Sequence, residues 1–243
     1  MGLKLMCVVA HPDDECFAFG GALALAHDHG VETSVICLTD GQAATNRGDS
    51  CSSEDLGRMR REEFVASCDV LGVTHHELLD FQDAQLEFAD FSGTAALLVE
   101  RMRAFQPQVV VTFGLDGALN THPDHTMVSA LTSAAFHWSA SPKRFSALGP
   151  LHAAERLYTL STDFLMPGRP APLPCPWTVT LDVRPVLARK QEAFRQHTSQ
   201  APLMEQTRPL FEQFGATERY TLAATREPQA ARHTTSFFEG LSL

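Results

Sequence analysis

Short apolar or β-branched runs alternate with helix-length segments through the first half of the chain, and this alternation restricts the fold more than any other feature. Lys4–Ala10, Val31–Leu38, His75–Leu79 and Gln108–Phe113 read as strands. Runs like Lys4–Ala10 lack polar alternation, as expected of strands covered on both faces. Between them lie helical stretches. Ala22–His29 follows Gly20-Gly21 and ends at Gly30, and a longer one starts at Ser52 and Ser53 and runs to Leu71 before Gly72. Hydroxyl caps followed by Glu54 and Asp55 suit the exposed amides of that second start. Ser92–Phe105 stops before Pro107, and a further helix opens at His122 and runs through Trp138, with Pro123 in its first turn. Strand–helix alternation at this spacing predicts an α/β fold, a mostly parallel sheet with helices on both faces.

The second half is less regular. Glu155–Ser161, Thr178–Asp182 and Arg219–Ala224 read as strands of mixed direction, Pro167–Pro176 as a Pro-rich loop, and Arg184–Ser199 as a helix. No repeat or linker divides residues 1–243, so a single domain is expected, with the last dozen residues mobile. Six scattered cysteines without a Cys-x-x-Cys pair suit a reducing compartment. Leu5–Ala10 is too short to span a bilayer and leads into no cleavage site, so the cytoplasm is expected and a membrane is not. A formal charge of −10 argues against a nucleic-acid partner. The residues leave a homo-oligomer open.

Two strand ends carry unusual polar clusters. Ala10-His11-Pro12-Asp13-Asp14-Glu15 follows the first strand, and His122-Pro123-Asp124-His125 follows the fourth. In an open parallel sheet such loops gather beyond the carboxyl ends of the strands. An imidazole and a carboxylate three positions apart on a turn can converge on one divalent ion. A histidine from the other loop would complete three ligands and leave a position for water, the pattern of a catalytic zinc site. Zinc would bring the water's pKa to roughly 7. A neighbouring carboxylate could take its proton, and a second histidine could stabilise a negative oxygen. Taken alone, Asp13, Asp14 and Glu15 read equally as helix caps, as do His122 and Asp124. Two such clusters at two strand ends are harder to assign to capping.

The motif Ala-His-Pro-Asp-Asp-Glu with Gly20-Gly21, and His-Pro-Asp-His midway along, resembles the PIG-L/LmbE-like deacetylases, zinc hydrolases on a Rossmann-like sheet that act on N-acetylglucosaminyl conjugates. The resemblance continues through Thr39-Asp40-Gly41, Met59-Arg60-Arg61-Glu62-Glu63, Leu71-Gly72-Val73, and Lys190 with Phe194 and His197-Thr198-Ser199-Gln200. It implies one zinc per chain on His11, Asp14 and His125, with iron(II) or another divalent ion able to substitute. It makes Asp13 the general base and later acid, and His122 the oxyanion or leaving-group partner, with Asp124 holding the His122 tautomer. Arg60 matches an arginine that meets substrate oxygens; a surface ion pair with Glu62 or Glu63 is the competing reading. His197 would either approach the pocket as a substrate-binding residue or pack the closing helix.

Ala18 stands where the family often has Gly, and Asp80-Phe81-Gln82-Asp83-Ala84 replaces a more usual Gly-Phe-Pro-Asp-Gly, which puts the pocket rim in question. The stretch Leu78–Asp90, Asp182-Val183-Arg184-Pro185 and the His-x-Ser-Gln segment resemble the bacillithiol branch. That branch implies N-acetylglucosaminyl malate as substrate, with Arg60 a partner for its carboxylates. Mycothiol-type and chitooligosaccharide substrates, and amidases of thiol conjugates, are the alternatives within the family. Outside it stand a catalytically silent sugar- or metal-binding protein, against which Asp13 and His122 count, and a nucleotide binder. The latter is weakened because no Gly-x-Gly-x-x-Gly follows the first strand.

Overall fold

In the computed structural model, strand β1 (Lys4–Val9) sends Leu5, Cys7 and Val9 into one apolar cluster and Met6 and Val8 into another on the opposite face. This two-sided burial is the physical reason the run carries no polar alternation. The structure describes residues 2–162, 176–227 and 232–241, without the side chain of Leu119. The expected Pro-rich loop therefore lies, apart from Pro176, outside the described residues, as does Cys175.

After β1 come α1 (Asp14–Phe17), α2 (Gly20–Asp28), β2 (Glu32–Thr39), α3 (Ser53–Leu71), β3 (His75–Phe81), α4 (Phe91–Phe105), β4 (Val109–Thr112) and α5 (Pro123–Ser139). The remainder holds β5 (Arg156–Leu160), β6 (Val179–Asp182), α6 (Leu187–Arg195), α7 (Ala201–Phe214) and β7 (Thr217–Thr225). The strands form one sheet in the order β3-β2-β1-β4-β5-β7-β6. All neighbours from β3 to β5 pair in parallel, and β7 runs antiparallel to both β5 and β6. Helices α2, α3, α6 and α7 pack on the face of Leu5 and Cys7, while α4 and α5 cover the face of Met6 and Val8.

The predicted α3 start is realised in detail: Ser52 Oγ accepts from the Asp55 amide at 3.0 Å, and Gly72 closes the helix in the left-handed region at φ 77°. Two expectations need correction. The first helix begins inside the polar motif as α1 and resumes at Gly20, two residues before the expected Ala22. The helix expected over Arg184–Ser199 is a shorter α6 between two single 3-10 turns, and it is followed by α7, which the sequence reading missed. Within the last dozen residues, Phe237 is the one buried side chain among those described. Phe237 is buried against Tyr158 and Tyr220, and Arg156 Nη1 donates to the carbonyls of Phe237 and Glu239 at 2.9 and 2.8 Å. Among the described residues no helix is long and apolar enough to cross a membrane.

Candidate metal centre

The sheet order reverses direction between β1 and β4, and a crevice opens beyond the carboxyl ends of strands at such a point. His11–Asp14 leaves β1 and His122–His125 opens α5 after β4, so chain topology alone delivers the two clusters to one place. There His11, Asp14 and His125 are buried, with donor atoms within 4.8 Å of one another. The structure therefore brings the three expected residues together.

Hydrogen bonding on the far side of each ring decides what its near nitrogen can do. His11 Nε2 faces Asp83 Oδ1 at 3.0 Å and Asp124 Oδ2 at 3.2 Å. Ionised carboxylates only accept, so Nε2 carries the proton and Nδ1, 3.6 Å from Asp14 Oδ2, is left with its lone pair. His125 Nδ1 donates to the Gly117 carbonyl at 3.2 Å, which leaves the Nε2 lone pair facing Asp14 Oδ1 at 3.2 Å. The His125 ring is held flat against Phe113, with centroids 3.9 Å apart. Asp14 Oδ2 accepts the amides of Ala10 and His11 at 3.2 and 2.9 Å, which fixes the carboxylate between the two rings. Two imidazole nitrogens and a carboxylate oxygen, all electron-pair donors turned toward one another, fit zinc. A proton is the other species able to sit there. Burial disfavours a charged His11, but Asp124, Asp14 and Asp83 outweigh it and hold its pKa well above the ordinary value.

Asp13 stands beside this trio with backbone φ 104°, a left-handed conformation a non-glycine residue adopts only when held. Burial raises its carboxyl to about 6, with Arg60 pulling down and Asp14 pushing up. Arg60, expected at substrate oxygens or in a surface ion pair with Glu62 or Glu63, is buried and pairs with Asp13. It is 3% exposed; Nη1 donates to Gly41 O at 2.9 Å, and Nη2 to Asp13 Oδ2 at 3.0 Å and to Pro12 O. Gly41 is required here, since a Cβ would sit 2.0 Å from the guanidinium.

His122 caps α5: its Nδ1 accepts from the Asp124 amide at 3.1 Å, which forces the ring proton of the neutral form onto Nε2. Burial, then the neighbouring His11 and His125, lowers its pKa and favours that neutral form. The expected tie from the Asp124 carboxylate to His122 is not the one observed. Asp124 is fully buried and instead accepts from His11 and from the amides of Ala84 and Leu86 at 2.7 and 3.2 Å. Of the two readings of His197, the structure fits packing of the closing segment: its side chain is fully buried, 2.7 Å from Glu15 Oε1.

Two residues escaped the sequence reading as contributors. Asp83 pairs with His11 and accepts the Ala43 amide at 3.0 Å. Glu15 accepts the Asp13 amide at 2.9 Å. The available signal for Asp83 was a carboxylate just past a third strand end.

Residues 6–136 match the family described as PIG-L: GlcNAc-PI de-N-acetylase. A probable N-acetyl-alpha-D-glucosaminyl L-malate deacetylase 2 of Bacillus cereus is 32% identical over 127 residues, 51% of this chain and 57% of that protein. A 1D-myo-inositol 2-acetamido-2-deoxy-alpha-D-glucopyranoside deacetylase of Actinosynnema mirum is 31% identical over 236 residues, 83% of this chain and 82% of its relative. The matched stretch thus spans little more than half of the Bacillus protein and most of the other. Among solved structures, N,N'-diacetylchitobiose deacetylase from Pyrococcus horikoshii shares the fold with a TM-score of 0.74 at 23% identity, over 90% of this chain and 83% of that one.

Proposed function

The chain belongs to the PIG-L family of GlcNAc-PI de-N-acetylases, and from that premise we propose that it hydrolyses the acetamide of an N-acetylglucosaminyl conjugate with one zinc ion on His11, Asp14 and His125. The observation that carries this reading is the pair of lone-pair nitrogens facing Asp14 with a separate carboxylate, Asp13, alongside. A mere metal binder has no need of Asp13 or His122.

When bound, zinc supplies Lewis acidity toward the amide carbonyl and toward water. The residues divide the remaining work. Asp13, held by Arg60, accepts a proton from the water as its oxygen bonds to the carbonyl carbon. The carbonyl oxygen gains negative charge, and His122 has an Nε2–H with which to stabilise it. As the C–N bond breaks, Asp13 returns the proton to the departing amine, leaving acetate and a free amino sugar. Asp83 and Asp124 act through His11, fixing its tautomer and adding to its basicity.

The aglycone is left to the relatives. The malate deacetylase and the inositol deacetylase both support a glucosaminyl conjugate, and each favours its own aglycone. With Arg60 engaged inside the protein, it lends no cation to malate. Free buried thiols at Cys7, Cys16, Cys37 and Cys68 support a cytoplasmic setting.

The test is acetate release by zinc-reconstituted protein from N-acetylglucosamine carrying malate, inositol or no aglycone. At least one should be turned over. Asp13→Asn should keep its zinc and lose about a hundredfold or more in kcat. Silence on every conjugate, or near-normal turnover by that variant, would overturn the reading.

A further inference from the structure

The left-handed turn at Asp13 is held from below by groups that never meet the crevice. The Asp13 amide donates to Glu15 Oε2 at 2.9 Å, and Cys16 Sγ donates to the Asp13 carbonyl at 3.1 Å. Glu15 is wholly buried, so its carboxylate direction depends on what grips the other oxygen. Two donors do: Ser67 Oγ at 2.6 Å from α3, and His197 Nε2 at 2.7 Å from the corner between α6 and α7. That corner is itself fixed, because Glu63 accepts from Thr198 Oγ1, the Ser199 amide and Ser199 Oγ, each at 2.7 Å. Arg60, Glu63 and Ser67 lie three and four positions apart and therefore share one stripe of α3. This stripe joins the turn after β1 to a corner more than 180 residues later.

We infer that His197 is a positioning residue for the general base: through the Glu15 carboxylate it locks the Asp13 backbone in the conformation that presents the Asp13 side chain beside the metal ligands. The inference rests on the function proposed above for the part Asp13 plays.

Physical argument separates this clamp from two other readings. Glu15, Cys16 and His197 have donor atoms close enough for a metal. However, the Cys16 sulfur retains its proton, donating to Asp13 O, and burial pushes its pKa well up. Both Glu15 oxygens already accept hydrogen bonds. Simple packing would require only that the imidazole fill space. The clamp requires a donor at the Nε2 position, because Nδ1 makes no hydrogen bond among the described residues, its nearest carboxylate being Glu63 at 4.0 Å. Holding a non-glycine residue at such a φ is unfavourable, and the surrounding bonds must offset it. Loosening one of them lets the turn relax, and a misplacement near 1 Å can cost about a hundredfold in rate.

The experiment compares His197→Gln, His197→Asn and His197→Ala in zinc-loaded protein. Glutamine puts an amide near Nε2, asparagine near Nδ1, and alanine neither. Ala and Asn should lower kcat about tenfold to a hundredfold, with KM and zinc content unchanged, and Gln should recover most of the rate. In a Glu15→Gln background the Ala substitution should add little, since both act through one bond. Deuterium uptake by the Asp13 amide, read on substrate-free protein, should quicken in Ala and Asn but not in Gln. If Ala does not fold, the Asn–Gln comparison carries the test. Unchanged uptake, zinc loss in step with rate, or Gln as poor as Ala would overturn the inference. A wild type that releases no acetate, yet shows the expected uptake pattern, would remove the proposed reaction and leave the clamp.

Discussion

A histidine can hold a cation only through a nitrogen that carries no proton, so what lies behind each ring matters as much as what lies in front of it. For His11 the groups behind are Asp83 and Asp124, and for His125 the Gly117 carbonyl. Residue type and spacing singled out His11, Asp14 and one histidine of the second cluster, and it was the family resemblance that pointed to His125. They could not give the partners behind, because His11 meets Asp124 across 113 positions and His197 meets Glu15 across 182. Arg60 illustrates the cost of that blindness: a guanidinium fork suits a substrate carboxylate, yet this one is buried under Asp13. Arg60→Ala should therefore lower kcat/KM by about tenfold or more for malate, inositol and unsubstituted substrates alike, by misplacing the base. Parallel kinetics on the three conjugates check this, and a loss confined to malate would return Arg60 to the substrate.

At the scale of elements, β1, β2 and β4 were legible because burial on both faces leaves no room for polar alternation, and α3 because its caps are written in residues with one use. Helix α7 was hidden by Pro202 in its first turn and Pro209 inside it, where sequence rules expect a break. The Gly20-Gly21 pair was recognised as a motif, but its reason lies in β7. A Cβ on Gly21 would sit 2.6 Å from Glu218 Oε1 and closer still to Val183. Glu218 caps the start of α2, accepting the amides of Gly21 and Ala22 at 2.7 and 2.9 Å, and also takes Lys190 Nζ at 2.5 Å and Tyr220 Oη at 2.8 Å. The antiparallel strand β7 thus fastens the helix that follows the His11–Glu15 cluster. Glu218→Ala would leave a buried ammonium and two helix amides without an acceptor. It should lower unfolding free energy by about 3 kcal/mol or more, measured by urea denaturation followed by circular dichroism. A change below about 1 kcal/mol, the range of a surface ion pair, would show that the cluster contributes little.

For the molecule as a whole, the reversal of strand order at β1 and β4 brings Asp13, Asp14 and Asp124 together, and Asp83 joins them from beyond β3, in a chain already carrying a net charge of −10. Arg60 and the imidazoles offset only part of that charge. Without a cation, Asp124, Asp14 and Asp83 favour an extra proton on His11 against the effect of its own burial. A bound zinc removes that demand, and a ligand that binds only the folded state stabilises it by RT ln(1 + [L]/Kd), about 4 kcal/mol at a thousandfold excess over Kd. For a chain of 243 residues this corresponds to a rise in Tm of about 10 °C, at roughly 2–4 °C per kcal/mol. Calorimetry with chelator, and then with zinc restored, should show that difference in the wild type and in Asp13→Asn. It should vanish in Asp14→Ala, which retains the fold's apolar layers but has lost the carboxylate between the rings. An equal response in Asp14→Ala would place the zinc elsewhere, and no response in the wild type would mean that this acidic edge is balanced by protons alone.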